Sequence, residues 1–364
     1  MIKRINMSIS YLCNLNCTYC FLSQESRLEN TEFTRFDDLY NFLLTVNLDK
    51  LVKVNLASGE LTLKPSLVRK VCRVFRKVER VRDVVFQFGM YSNGTNPDVL
   101  ISLLRDGTFT PGLTSVSWDG IASEVTRNNY NHSYTIDDGM ININKIYGSG
   151  YANDIVVRTA ITKDLLYLNS LERAVPLVQF LEFYTKVINW EYYFLLDDDD
   201  YRNPNLIPYF KNFIDQCIGL YRASNYRLKI YNMRKLDETY SNTLPDIARE
   251  KKLWCHSIDG AIDITIDGKV TQCGSFTPNY VYGFKNLDMF DDISQPFNES
   301  KIIQIAMDNC INCKKCDFMN CGNKHCHECS RIIPYRWGSD FEYKAKQVCA
   351  LRTVEREEFL KDMI

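Results

Sequence analysis

The sequence predicts an α/β fold, a partial (β/α)6 TIM-like barrel followed by a small cysteine-rich domain of β-hairpin and helix. Two observations predict the barrel: the first two thirds of the chain alternate strand-like with helix-like segments, and they do so six times in series. Such a series implies a parallel sheet with right-handed crossovers. A third observation predicts the second domain, because the pattern changes near residue 251 and many cysteines follow.

Six segments of the first part are rich in β-branched or aromatic residues and end in polar or glycine-containing loops, as strands do. These predicted strands cover residues 4–12, 51–57, 84–90, 113–118, 155–161 and 190–196.

Helical patterns lie between these strands. Apolar residues in 36–46 recur at the spacing of one helix face. In NPDVLISLLRDG, Asn96 is the predicted N-cap, Pro97 occupies the first turn and Gly107 ends the helix. Six basic residues flank a third apolar stripe in 67–78, and they form either a solvated outer face, which we favour, or a docking patch for an acidic partner.

The second part begins with an alternating pattern, AIDITIDGKVTQC. Its Asp267-Gly268 pair between two alternating segments predicts a β-hairpin. The segment after it, CINCKKCDFMNCGNKHCHEC, has too few apolar residues to form a core without metal. We therefore predict three units: a barrel core over 1–235, a cysteine-rich domain over 236–349 and a C-terminal helix over 350–364.

Composition argues against several classes of protein. The chain has 364 residues, of which 24% are charged, and a formal net charge of -1. This balance favours neither a nucleic-acid partner nor a membrane surface. We read no signal peptide in MIKRINMSIS and no apolar run that could span a bilayer. The chain has 14 cysteines, and we therefore expect a cytoplasmic protein whose clustered cysteines bind metal rather than form disulfides, with Cys72 and Cys217 as buried apolar residues.

Three of the cysteines follow the first predicted strand, in the segment CNLNCTYC. Cys13, Cys17 and Cys20 have the spacing C-x3-C-x2-C. Three thiolates this close together can hold one face of a metal centre and leave one position open. Structural zinc prefers four protein ligands, so an iron–sulfur cluster with one free iron fits this spacing better.

Polar residues also follow other predicted strands. Ser58, Asn93 and Asp119 each stand at the C-terminal end of one. Any one of them is consistent with ordinary turn chemistry. Together with the cysteines they predict a single site, because the C-terminal ends of parallel strands meet at one edge of a barrel.

On these residues the sequence resembles the radical SAM enzymes, whose signature is C-x3-C-x2-C with an aromatic residue, here Tyr19, before the last cysteine. The resemblance implies that Cys13, Cys17 and Cys20 hold a [4Fe–4S] cluster and that S-adenosylmethionine binds its fourth iron. It also implies a flavodoxin- or ferredoxin-like electron donor. Reductive cleavage of the cofactor would give a 5′-deoxyadenosyl radical that abstracts hydrogen from a substrate.

The resemblance implies further cofactor contacts. The segment ASGELTL resembles the family's Gly-Gly-Glu-Pro segment, which binds the methionine amino group; it retains Gly59 and Glu60 but lacks the first glycine and the proline. Ser117 corresponds to a serine that contacts the cofactor, Arg127 to the arginine that approaches its carboxylate, and Leu196 to the residue that packs on adenine. The histidine often found between the serine and the arginine is missing.

The last third resembles the SPASM extension of this superfamily, which carries one or two auxiliary [4Fe–4S] clusters. Its cysteine spacing is matched except for two gaps, each of which differs by one residue. By resemblance, the ligands are Cys255, Cys273 and Cys326 or Cys329 for the first cluster, and Cys313, Cys316, Cys321 and Cys349 for the second. Cys310 is a further candidate, either in a ferredoxin-like group with Cys313 and Cys316 or at the first cluster. A zinc-bound tail is the alternative.

The core motifs define the radical initiator and leave the product open. Because relatives with SPASM extensions mostly modify peptides or proteins, we expect a maturase. It would abstract hydrogen from a ribosomally made peptide or protein and install a crosslink or an oxidation. The alternatives are a dehydrogenase or epimerase of a small polar metabolite, a sulfatase-type formylglycine maturase, and a non-catalytic metal or electron-transfer protein.

Two features bear on the choice among these functions. Gly274 stands where sulfatase-maturing enzymes have a catalytic aspartate, which disfavours that reaction and leaves Asp119, Asp259 and Asp263 as candidate bases. Only a short segment precedes Cys13, where many peptide-modifying members have a leader-binding domain. We therefore expect any leader to be held either by a separate leader-binding protein or by the core itself.

Overall fold

The computed structural model describes residues 1–20, 22–110, 113–129, 135–151, 155–171, 175–194, 205–223, 225–234, 260–271, 291–296 and 358. The strands in these residues are β1 (Ile2–Ser8), β2 (Leu15–Cys17), β3 (Leu48–Ala57), β4 (Val85–Ser92), β5 (Ser115–Ser117), β6 (Arg127–Asn129), β7 (Val156–Ile161), β8 (Asn189–Phe194), β9 (Lys229–Ile230), β10 (Ala261–Ile264), β11 (Lys269–Thr271) and β12 (Asp291–Asp292).

The helices of the same residues connect these strands. They are α1 (Gln24–Leu28), α2 (Phe36–Thr45), α3 (Pro65–Glu79), α4 (Pro97–Arg105), α5 (Ser123–Thr126), α6 (Ile136–Gly148), α7 (Lys163–Asn169), α8 (Leu177–Tyr184) and α9 (Leu206–Arg222).

Ten of the strands form one sheet in the order β12-β11-β10-β1-β3-β4-β5-β7-β8-β9. All neighbours from β10 to β9 are parallel, whereas β11 pairs antiparallel with both β10 and β12. The six predicted strands are confirmed as β1, β3, β4, β5, β7 and β8. The mostly parallel sheet with intervening helices agrees with the predicted partial (β/α)6 barrel.

Large aromatic side chains pack the helices against one face of the sheet. Phe75 of α3 contacts Phe86 and Phe88 of β4 edge to face, with ring centroids 4.9 and 5.6 Å apart respectively. Tyr192 of β8 meets Phe213 of α9 in the same way, at 5.2 Å. Because successive strand residues point to opposite faces, the intervening residues of β4 and β8 belong to the other face, away from these helices.

The predicted helices 36–46 and 97–107 are confirmed as α2 and α4. Asn96 does precede α4, but the prediction that its side chain caps the helix is wrong. The Asn96 side chain makes no capping hydrogen bond and instead donates from Nδ2 to Thr62 Oγ1 at 3.1 Å. Gly107 follows the helix with φ +72°, a conformation that favours glycine.

The basic residues around α3 have mainly local partners. Arg69 pairs with Asp106 at 2.8 Å, and Lys70 lies 3.8 Å from the ring centroid of Phe36. This outcome is consistent with the solvated outer face that we favoured.

The predicted hairpin is confirmed as β10–β11, with Gly268 at φ +83° in its turn, and β10 extends the main sheet beside β1. Arg35, which directly precedes α2, stabilises the position of β11 and β12 beside β10. Its terminal nitrogens donate to both carboxylate oxygens of Asp292 in β12, at 2.9 and 2.7 Å. Lys269 contacts the same carboxylate at 3.0 Å. No helix of the described residues is long and apolar enough to cross a membrane.

Candidate active site

The cysteine loop, which we define as residues 9–22, leaves the sheet where β1 ends. Strand β2 within it pairs antiparallel with β6, and this pairing sets Cys17 opposite Arg127. The Thr18 amide donates to the Thr126 carbonyl at 2.9 Å, and the Cys20 amide to the Cys17 carbonyl at 3.2 Å. Main-chain hydrogen bonds therefore hold the loop against β6 and the last residue of α5.

All three cysteines of the loop are half-buried and free of disulfides. Burial raises the pKa of Cys13 to about 12 and that of Cys17 to about 11, and it also raises the pKa of Cys20. Arg127 and Arg27 act in the opposite direction on Cys17 and Cys20. A metal centre bound here has to displace the thiol protons.

The chain after β3 passes very close to the cysteine loop. Gly59 has φ +56°, and a Cβ added there would lie 2.4 Å from the Leu12 carbonyl oxygen. The Glu60 amide donates to the same oxygen at 2.8 Å. Only glycine allows this approach. Ser58 also has a positive φ, +78°, and its hydroxyl lies 2.7 Å from that of Ser8.

Glu60 is fully buried and joins the ends of β3 and β4. One carboxylate oxygen accepts hydrogen bonds from the Thr62 amide and hydroxyl, at 3.1 and 2.6 Å, and from the Ser92 hydroxyl at 2.9 Å. The other oxygen accepts from the Asn93 amide at 2.5 Å. Burial raises the pKa of Glu60, against the effect of these hydrogen bonds. The carboxylate thereby fixes the loop that contains Gly59.

Asn93, at the end of β4, reaches the cysteine loop. Its Nδ2 donates to Asn14 Oδ1 at 2.9 Å and lies 3.8 Å from Cys13 Sγ. Its Oδ1 accepts from the Thr95 amide and hydroxyl. Three strand ends, those of β1, β3 and β4, are thus joined by polar contacts.

Asp119 is the centre of a second polar group, at the end of β5. Its Oδ2 accepts from Tyr19 Oη at 2.6 Å, Thr126 Oγ1 at 2.9 Å and Arg127 Nε at 2.9 Å. Its Oδ1 accepts from the Ala160 amide at 3.1 Å. The carboxylate is fully buried and the Arg127 side chain is 4% exposed. Asp119 is therefore engaged on both oxygens, and this use argues against a role as a free base.

Among the described residues, Arg127 is a cation with unused hydrogen-bonding capacity. Burial acts to lower its pKa, but Asp119, Tyr19 and Cys17 together hold the pKa well above its usual value. Its one hydrogen bond to a side chain of the described residues uses Nε. A guanidinium has five N–H donors, so the terminal nitrogens can bind an anion such as a carboxylate.

The face of the sheet opposite the helices carries a row of polar residues across β5, β7 and β8. Ser117 of β5, Arg158 of β7 and Glu191 of β8 are neighbours in register. Arg158 pairs with Glu191 at 2.9 Å, and its guanidinium carbon lies 4.9 Å from the ring centroid of Tyr91. Ser117, the predicted cofactor contact, therefore lies in one row with the half-buried cation of Arg158 and the carboxylate of Glu191.

The structure brings together most of the predicted core site, namely Cys13, Cys17, Tyr19, Cys20, Gly59, Glu60 and Arg127. Ser117 lies on β5, two residues before Asp119. Within the described residues, no three or more His, Cys, Asp or Glu side chains form a ready single-ion site. Three thiols, a glycine that allows close approach and an arginine whose terminal N–H groups have no side-chain partner among the described residues nevertheless fit an iron–sulfur cluster and a ligand with amino and carboxylate groups. Asn14 and Arg27 were missed by the sequence reasoning, because neither belongs to a spacing pattern.

The other predicted site residues lie outside the described residues. They are Leu196, Cys255, Cys273, Cys310, Cys313, Cys316, Cys321, Cys326, Cys329 and Cys349, together with Gly274 and Asp259. Asp263 is described, and it lies on β10 in register with Asn6 of β1.

Comparison with solved structures shows the fold. The structure of anSMEcpe with bound AdoMet has a TM-score of 0.70 at 16% identity, covering 99% of this chain and 94% of that one. The same protein with AdoMet and the Cp18Cys peptide gives 0.68 at 15%, covering 99% and 97%. Streptococcus suis SuiB bound to precursor peptide SuiA gives 0.51 at 12%, covering 83% and 65%.

Comparison of the sequence itself gives the family of the core. No curated protein matches the chain. Residues 7–163 match the Radical SAM superfamily, and this stretch contains the cysteine loop, Gly59, Glu60, Asp119 and Arg127. Residues 7–163 of this chain therefore form a radical SAM domain.

Proposed function

We propose that this protein is a radical SAM maturase that abstracts hydrogen from a ribosomally made peptide or protein and installs a crosslink or an oxidation. Cys13, Cys17 and Cys20 would hold a [4Fe–4S] cluster, with S-adenosylmethionine beside it. When bound, these cofactors supply a 5′-deoxyadenosyl radical. The remaining chemistry depends on how the chain's own residues hold the cofactor and the substrate.

One observation carries the cofactor assignment: Arg127 lies opposite Cys17 in the β2–β6 pair, and its hydrogen bond to a described side chain uses Nε and leaves the terminal N–H groups without a side-chain partner among the described residues. A carboxylate bound there would stand next to the open side of the cysteine loop. Gly59 leaves room for close approach to main-chain groups at the neighbouring strand end. Asp119 would keep Arg127 in place, and Glu60 would keep the Gly59 loop in place.

A peptide substrate is supported by two observations. The polar row formed by Ser117, Arg158 and Glu191, with Tyr91 beside it, offers hydrogen-bond donors and acceptors rather than an apolar surface. Structures of the same fold are bound to peptides, namely Cp18Cys and SuiA. By the resemblance of the last third, we also propose one or two auxiliary [4Fe–4S] clusters on its cysteines.

Deuterium transfer tests the substrate class. Cells that contain this protein would be grown on deuterated amino acids, and their extract separated by size into macromolecular and small-molecule fractions. Each fraction would then be incubated with the reconstituted, reduced protein and unlabelled S-adenosylmethionine. The proposal predicts deuterium in 5′-deoxyadenosine from the macromolecular fraction, lost after protease treatment. Deuterium from the small-molecule fraction alone would refute it and favour a metabolite enzyme.

A further inference from the structure

Arg27 contacts the cysteine loop through both its main chain and its side chain. It lies on α1, directly after the loop, and only 6% of its surface is exposed. Its carbonyl accepts from the Cys13 amide at 3.0 Å. Its Nη1 donates to the Cys17 carbonyl at 3.4 Å, and its Nε to the Ser23 carbonyl at 3.3 Å. The guanidinium is therefore held beside the thiols.

Arg27 carries a buried positive charge that no carboxylate of the described residues neutralises. Within the part of the chain that the structure describes, the hydrogen bonds of its guanidinium go to main-chain carbonyls only. Glu25 and Glu29, which lie two positions before and after Arg27 in the chain, are both exposed. The other buried arginine of the site, Arg127, is paired with Asp119 at 2.9 Å. An unpaired buried charge is strongly unfavourable, so its presence here indicates an anion in the loaded protein.

We propose that Arg27 is the counter-cation of the Cys13, Cys17 and Cys20 thiolates and raises the reduction potential of the cluster that they hold. This inference rests on the proposed function, because it requires that cluster. Reduction adds one electron from an external donor, so the reduced form is the more negative one and a fixed positive charge stabilises it more. Burial enlarges the effect, since a low dielectric screens charge weakly.

Three single variants of the full chain test the role of this charge. Arg27→Gln removes the charge and keeps hydrogen-bond donors, whereas Arg27→Lys keeps the charge. Arg82→Gln is the matched control, because Arg82 also donates to main-chain carbonyls, those of Leu43 and Val46, at 2.6 and 2.8 Å.

The measurement is a redox titration of each reconstituted protein, followed by electron paramagnetic resonance. The signal to follow is the one that changes when S-adenosylmethionine is added, since only the cluster with a free iron binds it. For Arg27→Gln we expect the ratio of reduced to oxidised cluster at the wild-type midpoint to fall about tenfold, which is about 59 mV for a one-electron couple. Arg27→Lys and Arg82→Gln should stay within about twofold, or roughly 20 mV on the same scale.

An unchanged ratio in Arg27→Gln would overturn the inference. If Arg27→Gln holds no cluster at the loop, the thermal unfolding midpoints of the cluster-free variant and wild type are compared, and they distinguish a counter-cation from a structural role. A midpoint at or above that of the wild type supports the counter-cation, because an unpaired buried charge has been removed. A lower midpoint shows a structural role and overturns the inference. A wild-type protein without iron on the loop would refute the proposed function itself, which is a different result.

Discussion

Replacing Asp119 with asparagine should destabilise the fold severely. The substitution preserves size and leaves Tyr19 and Thr126 an oxygen to donate to, but it removes the negative charge that faces Arg127 at 2.9 Å. Both partners are buried, with side-chain exposures of 0% for Asp119 and 4% for Arg127. Breaking a buried pair on one side costs about 3–5 kcal/mol, because the remaining charge is left without compensation. We expect a loss of that size in the free energy of unfolding.

Urea unfolding of the cluster-free protein, followed by tryptophan fluorescence, measures this loss. The matched control is Asp98→Asn, which breaks the exposed Lys145–Asp98 pair and should cost about 0–1 kcal/mol. In a double variant, Arg127→Met should recover part of the loss caused by Asp119→Asn, since it removes the unpaired charge. A cost below about 1 kcal/mol for Asp119→Asn would refute the view that this pair holds the cysteine loop in place.

Three further predictions follow from the same contacts. Gly59→Ala should cost about 2–5 kcal/mol in unfolding free energy, because it adds a clash with main-chain atoms to the strain of a positive φ, whereas Gly107→Ala, with open space around it, should cost only about 1–2 kcal/mol. Hydrogen bonds from Arg35 hold the pKa of Asp292 well below its usual range, so the stability difference between wild type and Asp292→Asn should be constant above about pH 4 and shrink as the pH falls below it. Arg158→Gln should lower deuterium transfer from substrate about tenfold or more, with S-adenosylmethionine cleavage in the absence of substrate changed less than about twofold.

Each of these predictions has a contradicting result. Equal costs for the two glycine variants would show that the Gly59 contact is not tight. A wild-type–Asp292→Asn difference that grows on acidification would reverse the sign of the linkage, because a carboxyl with a depressed pKa stabilises the fold only while it is ionised. Equal loss of cleavage and transfer in Arg158→Gln would move Arg158 from substrate binding to cofactor binding.

The sequence predicted the sheet well because its signal is local. Each core strand is a short β-branched or aromatic run with a loop after it, and each of the six was found. The cap at Asn96 failed because a tertiary partner, the hydroxyl of Thr62, took the side chain that local rules assign to the helix. The hairpin at 260–271 was predicted from its turn, but no local pattern shows that β10 pairs with β1, more than 250 residues earlier.

The same limit applies to the site. Spacing alone gave Cys13, Cys17 and Cys20, because they lie close together in the chain. The bond from Tyr19 to Asp119 joins residues 100 positions apart, so no spacing pattern includes it. Arg27 belongs to no motif either. Its proposed role depends on its being buried with no carboxylate partner among the described residues, and only a folded chain reveals this.

The central claim is that the cysteine loop supports reductive cleavage of S-adenosylmethionine. The most direct test is to reconstitute the protein without oxygen, reduce it with dithionite, add the cofactor and measure 5′-deoxyadenosine, alongside a variant with Cys13, Cys17 and Cys20 all replaced by alanine. We predict that the wild type forms 5′-deoxyadenosine and that the triple variant forms none, while any iron on the last third of the chain remains. The claim would be contradicted if the wild type holds iron on the loop but forms no 5′-deoxyadenosine. It would also be contradicted if the wild type and the triple variant form equal amounts of 5′-deoxyadenosine.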